Sequence, residues 1–243
     1  MAPHPPSAGH TTTETRAAPD RTRWWGFALY ALVAAVHLIT LLVGPADLVY
    51  PTKLALMPAL ALATLWALRG SMRGAGTTRT GIAAASVLLA AIGFSWLGDG
   101  AAFFFPFAGD ELPFMLLCFG LAHLAYIVLF VRLLPRRPLA PWTLVYAVWW
   151  GVMLAVLWPH LGALTIAVAL YGLILGGTAV AATRGSTITA IGGAFFLVSD
   201  TILALRLFFP GGESLGDGWV MLTYTIGQGL LVYGAVRLIR SEP

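Results

Sequence analysis

Ile191-Gly192-Gly193-Ala194-Phe195-Phe196-Leu197-Val198-Ser199-Asp200-Thr201-Ile202-Leu203-Ala204-Leu205 is fit for lipid in all but one conspicuous respect, the carboxylate of Asp200. A charged side chain near the centre of a bilayer costs between about 3 and more than 10 kcal/mol unless it is neutralised, paired or turned into the protein. Asp200 therefore reads as a functional residue of a membrane-spanning helix. An earlier stretch, Ala91-Ile92-Gly93-Phe94-Ser95-Trp96-Leu97-Gly98-Asp99-Gly100, repeats the design, with a small residue before the Asp and a Phe in the preceding turn. The chemistry is expected between these two carboxylates.

The rest of the chain supplies the membrane context. Of its 243 residues 59% are hydrophobic and 10% charged, with a mean hydropathy of +0.85; a soluble domain carries about 25% charge. The length leaves room for about eight spans of roughly 20 residues joined by short loops, and none for a separate soluble domain. The net charge of +4 comes without aromatic residues interleaved in a basic cluster, which excludes a nucleic-acid surface and points to membrane orientation. Cys118 is the single cysteine, so an intrachain disulfide and a cysteine-rich metal site are excluded.

Residues 1–22, rich in Pro, Thr and Ala, read as a disordered polar tail, ahead of one eight-helix transmembrane domain over residues 23–240. The expected spans are Trp24–Val43, Pro51–Leu68, Gly81–Phe105, Leu112–Leu134, Pro141–Trp158, Gly162–Ala182, Thr187–Phe209 and Gly218–Ile239, with Gly, Pro and charge at the junctions. With eight spans, Arg16, Arg21, Arg23, Arg69, Arg73, Arg79, Arg132, Arg136, Arg137, Arg184, Arg237 and Arg240 share one side, and only Lys53 and Arg206 take the other. The positive-inside rule then makes both termini cytoplasmic.

Asp99 precedes His123 by 24 residues and Asp200 precedes Tyr224 by 24, so spans three and four correspond to seven and eight. An even number of spans separates the copies, the mark of a parallel repeat about an axis along the membrane normal. At a rise of about 1.5 Å per residue, Asp99 and Asp200 lie roughly 27 and 20 Å from the cytoplasmic starts of their spans. Tyr224, Gln228 and His123 lie roughly 9, 15 and 16 Å from the outer ends. Lys53 opens span two on the outer side. These groups, with Tyr126 one helical turn beyond His123 and Ser199 beside Asp200, are the candidate site.

Each has a plainer use: Lys53 as a snorkelling cation, His123 and Tyr126 as core residues with satisfied polar atoms, Ser199 bonded to its own helix and Gln228 as interhelical glue. The two aspartates resist such uses. No His or Cys pair has metal-ligand spacing, so neither metal nor cofactor is expected. No G-x-S-x-G elbow surrounds Ser199.

The constellation of Lys53, F-x-x-x-G-D at Phe94 to Asp99, G-L-A-H-L-A-Y at Gly120 to Tyr126, F-F-L-V-S-D-T-I-L-A at Phe195 to Ala204 and Y-T-I-G-Q at Tyr224 to Gln228 resembles the YhhN family of lysoplasmalogenase-like integral membrane proteins. The resemblance spans residue 24 to the C-terminus and departs at Tyr50-Pro51-Thr52-Lys53-Leu54, where Lys followed directly by Pro is expected. It implies an eight-helix bundle in a bacterial cytoplasmic membrane that hydrolyses the vinyl ether bond of a lysophospholipid, with Asp99 and Asp200 catalytic and Lys53, His123, Tyr126, Ser199, Tyr224 and Gln228 binding substrate. The oligomeric state stays open. Two other classes compete: a proton-coupled transporter of small molecules or lipids using the same acidic pair, and a scaffold in which the aspartates only bind helices together.

Overall fold

A computed structural model of the protein describes residues 24–69 and 78–241; the tail assigned to residues 1–22 lies outside them. Eight helical segments among the described residues are long and apolar enough to cross a membrane. We number their helices α1 (Trp25–Val43), α2 (Ala46–Leu68), α3 (Arg79–Asp99), α4 (Leu112–Val128), α5 (Val145–Leu157), α6 (Thr165–Thr183), α7 (Thr187–Phe208) and α8 (Asp217–Ser241). The chain is an all-α bundle of the polytopic membrane class. Large apolar side chains such as Leu42, Val43, Ile166 and Leu144 face outward, an arrangement that suits lipid and not water.

Both ends of the bundle are identifiable from contacts. At one, the Trp24 ring packs 4.9 Å from Tyr233, Arg240 donates to the Ala67 carbonyl at 2.7 Å and the Arg137 amide donates to the Arg184 carbonyl at 2.7 Å. The other end holds Lys53, Asp99, Phe208 and Asp217 around a shared cavity. Helices start where the sequence provides caps: Thr78 accepts from the Gly81 amide ahead of α3, and Ser186 and Thr189 form a reciprocal capping box at α7.

Several helices differ from their expected bounds: α4 passes into a π-helical turn over Leu129–Leu133, α5 follows a 3-10 turn over Pro141–Leu144, and α2 and α3 differ next to the site. Helix α2 begins at Ala46 and carries Pro51 and Pro58 inside it. Proline lacks an amide proton, so Pro58 leaves the Leu54 carbonyl without its helical donor. The Trp96 indole Nε1 supplies that donor at 3.0 Å and pins α2 to α3 next to Lys53. Helix α3 ends at Asp99, short of the expected Phe105, and the chain resumes as one helical turn over Ala101–Phe104. At the break the Phe104 ring fills the space where a Cβ on Gly100 would stand.

The closest helix pair is α7 with α8. A Cβ at Gly192 would lie 2.6 Å from the Leu231 amide nitrogen, and one at Gly227 would lie 2.7 Å from the Phe196 nitrogen. Backbone contact of this kind is how small residues hold helices together in a bilayer, where no hydrophobic force drives them. It fixes Ser199 and Asp200 on α7 against Tyr224 on α8. Helix α5 is more peripheral, resting on α6 and touching α7.

Candidate active site

Asp99 is the last residue of α3, buried at 5% exposure. A carboxylate there faces the negative end of its own helix dipole, so it needs outside partners. Lys53 Nζ stands 3.7 Å from Asp99 Oδ1, and the Tyr224 hydroxyl donates to Oδ2 at 2.7 Å. Beside Lys53, Thr52 Oγ1 is 2.9 Å from Nδ1 of the buried His37. The small residue ahead of Asp99 has a packing reason as well: a Cβ on Gly98 would lie 2.6 Å from the Phe119 ring. That ring in turn packs edge-on against Phe196 and Tyr224.

Asp200, in the middle of α7, is held by different partners. The Tyr171 hydroxyl of α6 donates a short hydrogen bond to its Oδ2. His123 Nε2 lies 3.8 Å from the same oxygen and 3.4 Å from the Tyr171 oxygen. His123 is fully buried, with its ring against Phe196 and its Nδ1 without a partner among the described residues. No side chain of fixed positive charge is among the recorded partners of Asp200, because a histidine is charged only when protonated.

Asp99, Asp200, Lys53, Tyr171, Ser199 and Tyr224 line one cavity of about 130 Å³, its remaining wall built from Asp217, which pairs with Arg206, and from apolar residues such as Met115, Phe119 and Leu203. At about 30 Å³ per water in the liquid, that is room for roughly four waters' worth of atoms. Ser199 faces it, although its hydroxyl is committed to the Val220 carbonyl at 2.9 Å.

Three of the expected substrate contacts do not line the cavity: His123, behind Asp200, and two that lie elsewhere, Tyr126 and Gln228. Tyr126 donates to Gln228 Oε1 at 2.6 Å, and Gln228 Nε2 donates to Ser95 Oγ at 2.8 Å. All three are fully buried and none lines the cavity. They form a closed polar tie one helical turn beneath the Asp99–Tyr224 pair, between α3, α4 and α8. Tyr171, conversely, is a site residue that the sequence reading passed over. Its signal was a lone phenol in an apolar span, which must find a hydrogen-bond partner inside the protein. Among the described residues no three His, Cys, Asp or Glu side chains stand close enough to share a metal ion.

Fold and site together define a helical membrane protein in which a buried Asp99 and a mostly buried Asp200 face a common cavity. A profile of the YhhN family matches residues 48–235, most of the chain and every candidate residue of the site. The chain belongs to the YhhN family, which is associated with lysoplasmalogenase activity. No curated protein and no solved structure matches it.

Proposed function

We propose that the protein hydrolyses the vinyl ether bond of a lysoplasmalogen, with Asp200 as the acid and Asp99 as the ionised carboxylate. One observation carries the reading: Asp99 and Asp200 share a cavity, and among the described residues only Asp99 of the two has a fixed cation within ion-pair distance. Pairs of titratable groups in contrasting environments are how acid and base roles are divided. Lys53 compensates a charge on Asp99. Among the described residues Asp200 has a phenol and an imidazole as its partners, and the role of proton donor is assigned to it.

A vinyl ether is not open to attack by base. It reacts by protonation on the alkene carbon remote from oxygen, which gives an oxocarbenium ion. Tyr171 occupies Asp200 Oδ2, leaving Oδ1 to deliver the proton to that carbon. Water then adds to the carbon bearing the ether oxygen and passes a proton to Asp99. In the resulting hemiacetal, the hydroxyl proton returns to Asp200 while Asp99 protonates the glycerol oxygen as the carbon–oxygen bond breaks. The products are a fatty aldehyde and a glycerophosphoethanolamine or glycerophosphocholine, with one water consumed and both carboxyls restored. Two carboxyl groups manage a similar cation in glycosidases. Lys53, at the cavity's polar rim, is placed to meet the lipid phosphate as well.

The pairing also supports a parallel repeat. Asp99 of α3 meets residues of α2 and α8, and Asp200 of α7 meets residues of α6 and α4; exchanging the two halves of the chain converts one set into the other. The arginine distribution favours an outward-facing cavity with both termini cytoplasmic. A bacterial cytoplasmic membrane suits that topology. The polar tie of Tyr126, Gln228 and Ser95 lies fully buried between the cavity and the opposite end of the bundle, which suits a site entered from one end better than a transport path.

The test is aldehyde release in deuterium oxide. Purified protein given an alkenyl lysophospholipid should yield an aldehyde with one deuterium on the carbon next to the carbonyl, and should leave the saturated ether analogue intact. Equal treatment of the two lipids would refute vinyl ether hydrolysis.

A further inference from the structure

A second, narrower cavity of about 50 Å³ lies between α5, α6 and α7. It adjoins the first, since Val168, Tyr171, Asp200 and Ala204 line both. Apart from that shared polar edge and Thr201, its wall is apolar, with Trp149, Trp150, Met153 and Leu154 contributed by α5. Both indoles are pinned: Trp149 Nε1 donates to Thr201 Oγ1 at 3.1 Å and Trp150 Nε1 to the Ala169 carbonyl at 3.0 Å. Gly172 keeps the space open, because a Cβ there would meet the Trp150 ring at 3.3 Å.

We propose that this crevice receives the hydrocarbon carbons adjacent to the reacting group of a single-chain lipid, and that Trp149, Met153 and Gly172 set its specificity there. The inference rests on the lysoplasmalogen reading for placing the reacting group at Asp200. Three features select a hydrocarbon chain as the occupant. The crevice is continuous with the cavity at the carboxyl that would deliver the proton. Its lining offers a chain no polar group beyond that edge and Thr201, whose hydroxyl is taken up by the Trp149 indole and the Leu197 carbonyl. Its outer wall is the peripheral helix α5, whose Val148 and Val152 are exposed on the far face, so a single helix separates the crevice from the bilayer that would hold the distal chain. About 50 Å³ accommodates roughly two methylenes by comparison with the 30 Å³ share of a liquid water. Selection therefore acts on the first carbons beyond the double bond, and the tail length matters little.

Photolabelling tests the crevice without relying on turnover. The probe is a lysophospholipid with a saturated ether-linked chain carrying a diazirine on the third carbon from the ether oxygen. Its crosslinks should concentrate on the Trp149 to Leu157 segment. Gly172→Leu, which fills the crevice from α6, should reduce that labelling about 10-fold, the scale of a methylene-sized misfit in an apolar pocket. Met153→Trp, on the peripheral helix, should do the same if Gly172→Leu does not fold. Crosslinks spread over lipid-facing helices, or concentrated in the groove of Phe27, Tyr30 and Tyr233 between α1 and α8, would overturn the crevice, as would labelling insensitive to both variants in folded protein. Concentrated labelling in a protein that cleaves no vinyl ether would leave the crevice standing and remove the proposed reaction.

Discussion

Asp99 sits at a helix end against a lysine and a tyrosine; Asp200 sits in mid-helix against a tyrosine and a histidine. The partners differ in whether their charge is permanent. Lys53 offsets an ionised Asp99, so the first carboxyl is held in place as a charge. Around Asp200 the tyrosine and imidazole can exchange hydrogen bonds with either protonation state. Two like residues at one cavity thus differ in chemistry through their neighbours, which is the condition for dividing a proton-transfer task.

Removing either carboxyl is the severest way to break the comparison. Asp200→Asn and Asp99→Asn should each lower aldehyde release about 100- to 10,000-fold, the usual contribution of a positioned acid or base, with the protein still folded by circular dichroism. Full activity in either variant would end the two-carboxyl scheme. Lys53→Met comes next. It strands the Asp99 charge, so it should lower both activity and melting temperature. Combining it with Asp99→Asn should cost less stability than the two separately, with a coupling of about 1–3 kcal/mol in a double-mutant cycle. Strict additivity would mean that the two residues are not partners.

Tyr171→Phe sharpens the contrast by removing a single donor to Asp200. The bond strengthens as Asp200 gives up its proton, and a hydrogen bond to a charged group is worth about 1.5–3 kcal/mol, so kcat should fall roughly 10- to 100-fold with KM little changed. An unaltered kcat would remove Tyr171 from the site. The smallest catalytic effect is expected of Tyr126→Phe, which leaves a buried Gln228 oxygen without its donor at a cost of about 1–3 kcal/mol. Its melting temperature should drop while kcat/KM for the folded protein stays within a few-fold. A selective loss of kcat/KM would return Tyr126 to the substrate.

The sequence made the spans legible because eight apolar runs are separated by charge, proline and glycine, and because carboxylates in such runs admit few explanations. Asp99, Asp200, Lys53 and Tyr224 were legible for the same reason. The commitment of Tyr126 and Gln228 was not. A count of residues put Gln228 about one turn deeper than Tyr224, but did not show that its hydrogen bonds go to Tyr126 and Ser95 in a tie that does not line the cavity. The end of α3 at Asp99 was also hidden, since its break depends on packing by Phe104. Tyr171 escaped because the 101-residue offset between Asp99 and Asp200 carries Lys53 to Leu154, not to Tyr171. Lys53 and Tyr171 lie at nearly the same distance from the starts of α2 and α6 but at different sequence offsets from their carboxyls, and only three-dimensional packing shows that they meet equivalent groups.

The division of labour between the carboxyls is tested most directly by the pH dependence of kcat/KM in the two Asn variants, measured on their residual vinyl ether cleavage. Activity that needs a protonated carboxyl breaks downward on the basic side. Asp99→Asn should keep that break and Asp200→Asn should lose it; a break lost with Asp99 and kept without Asp200 would contradict the assignment.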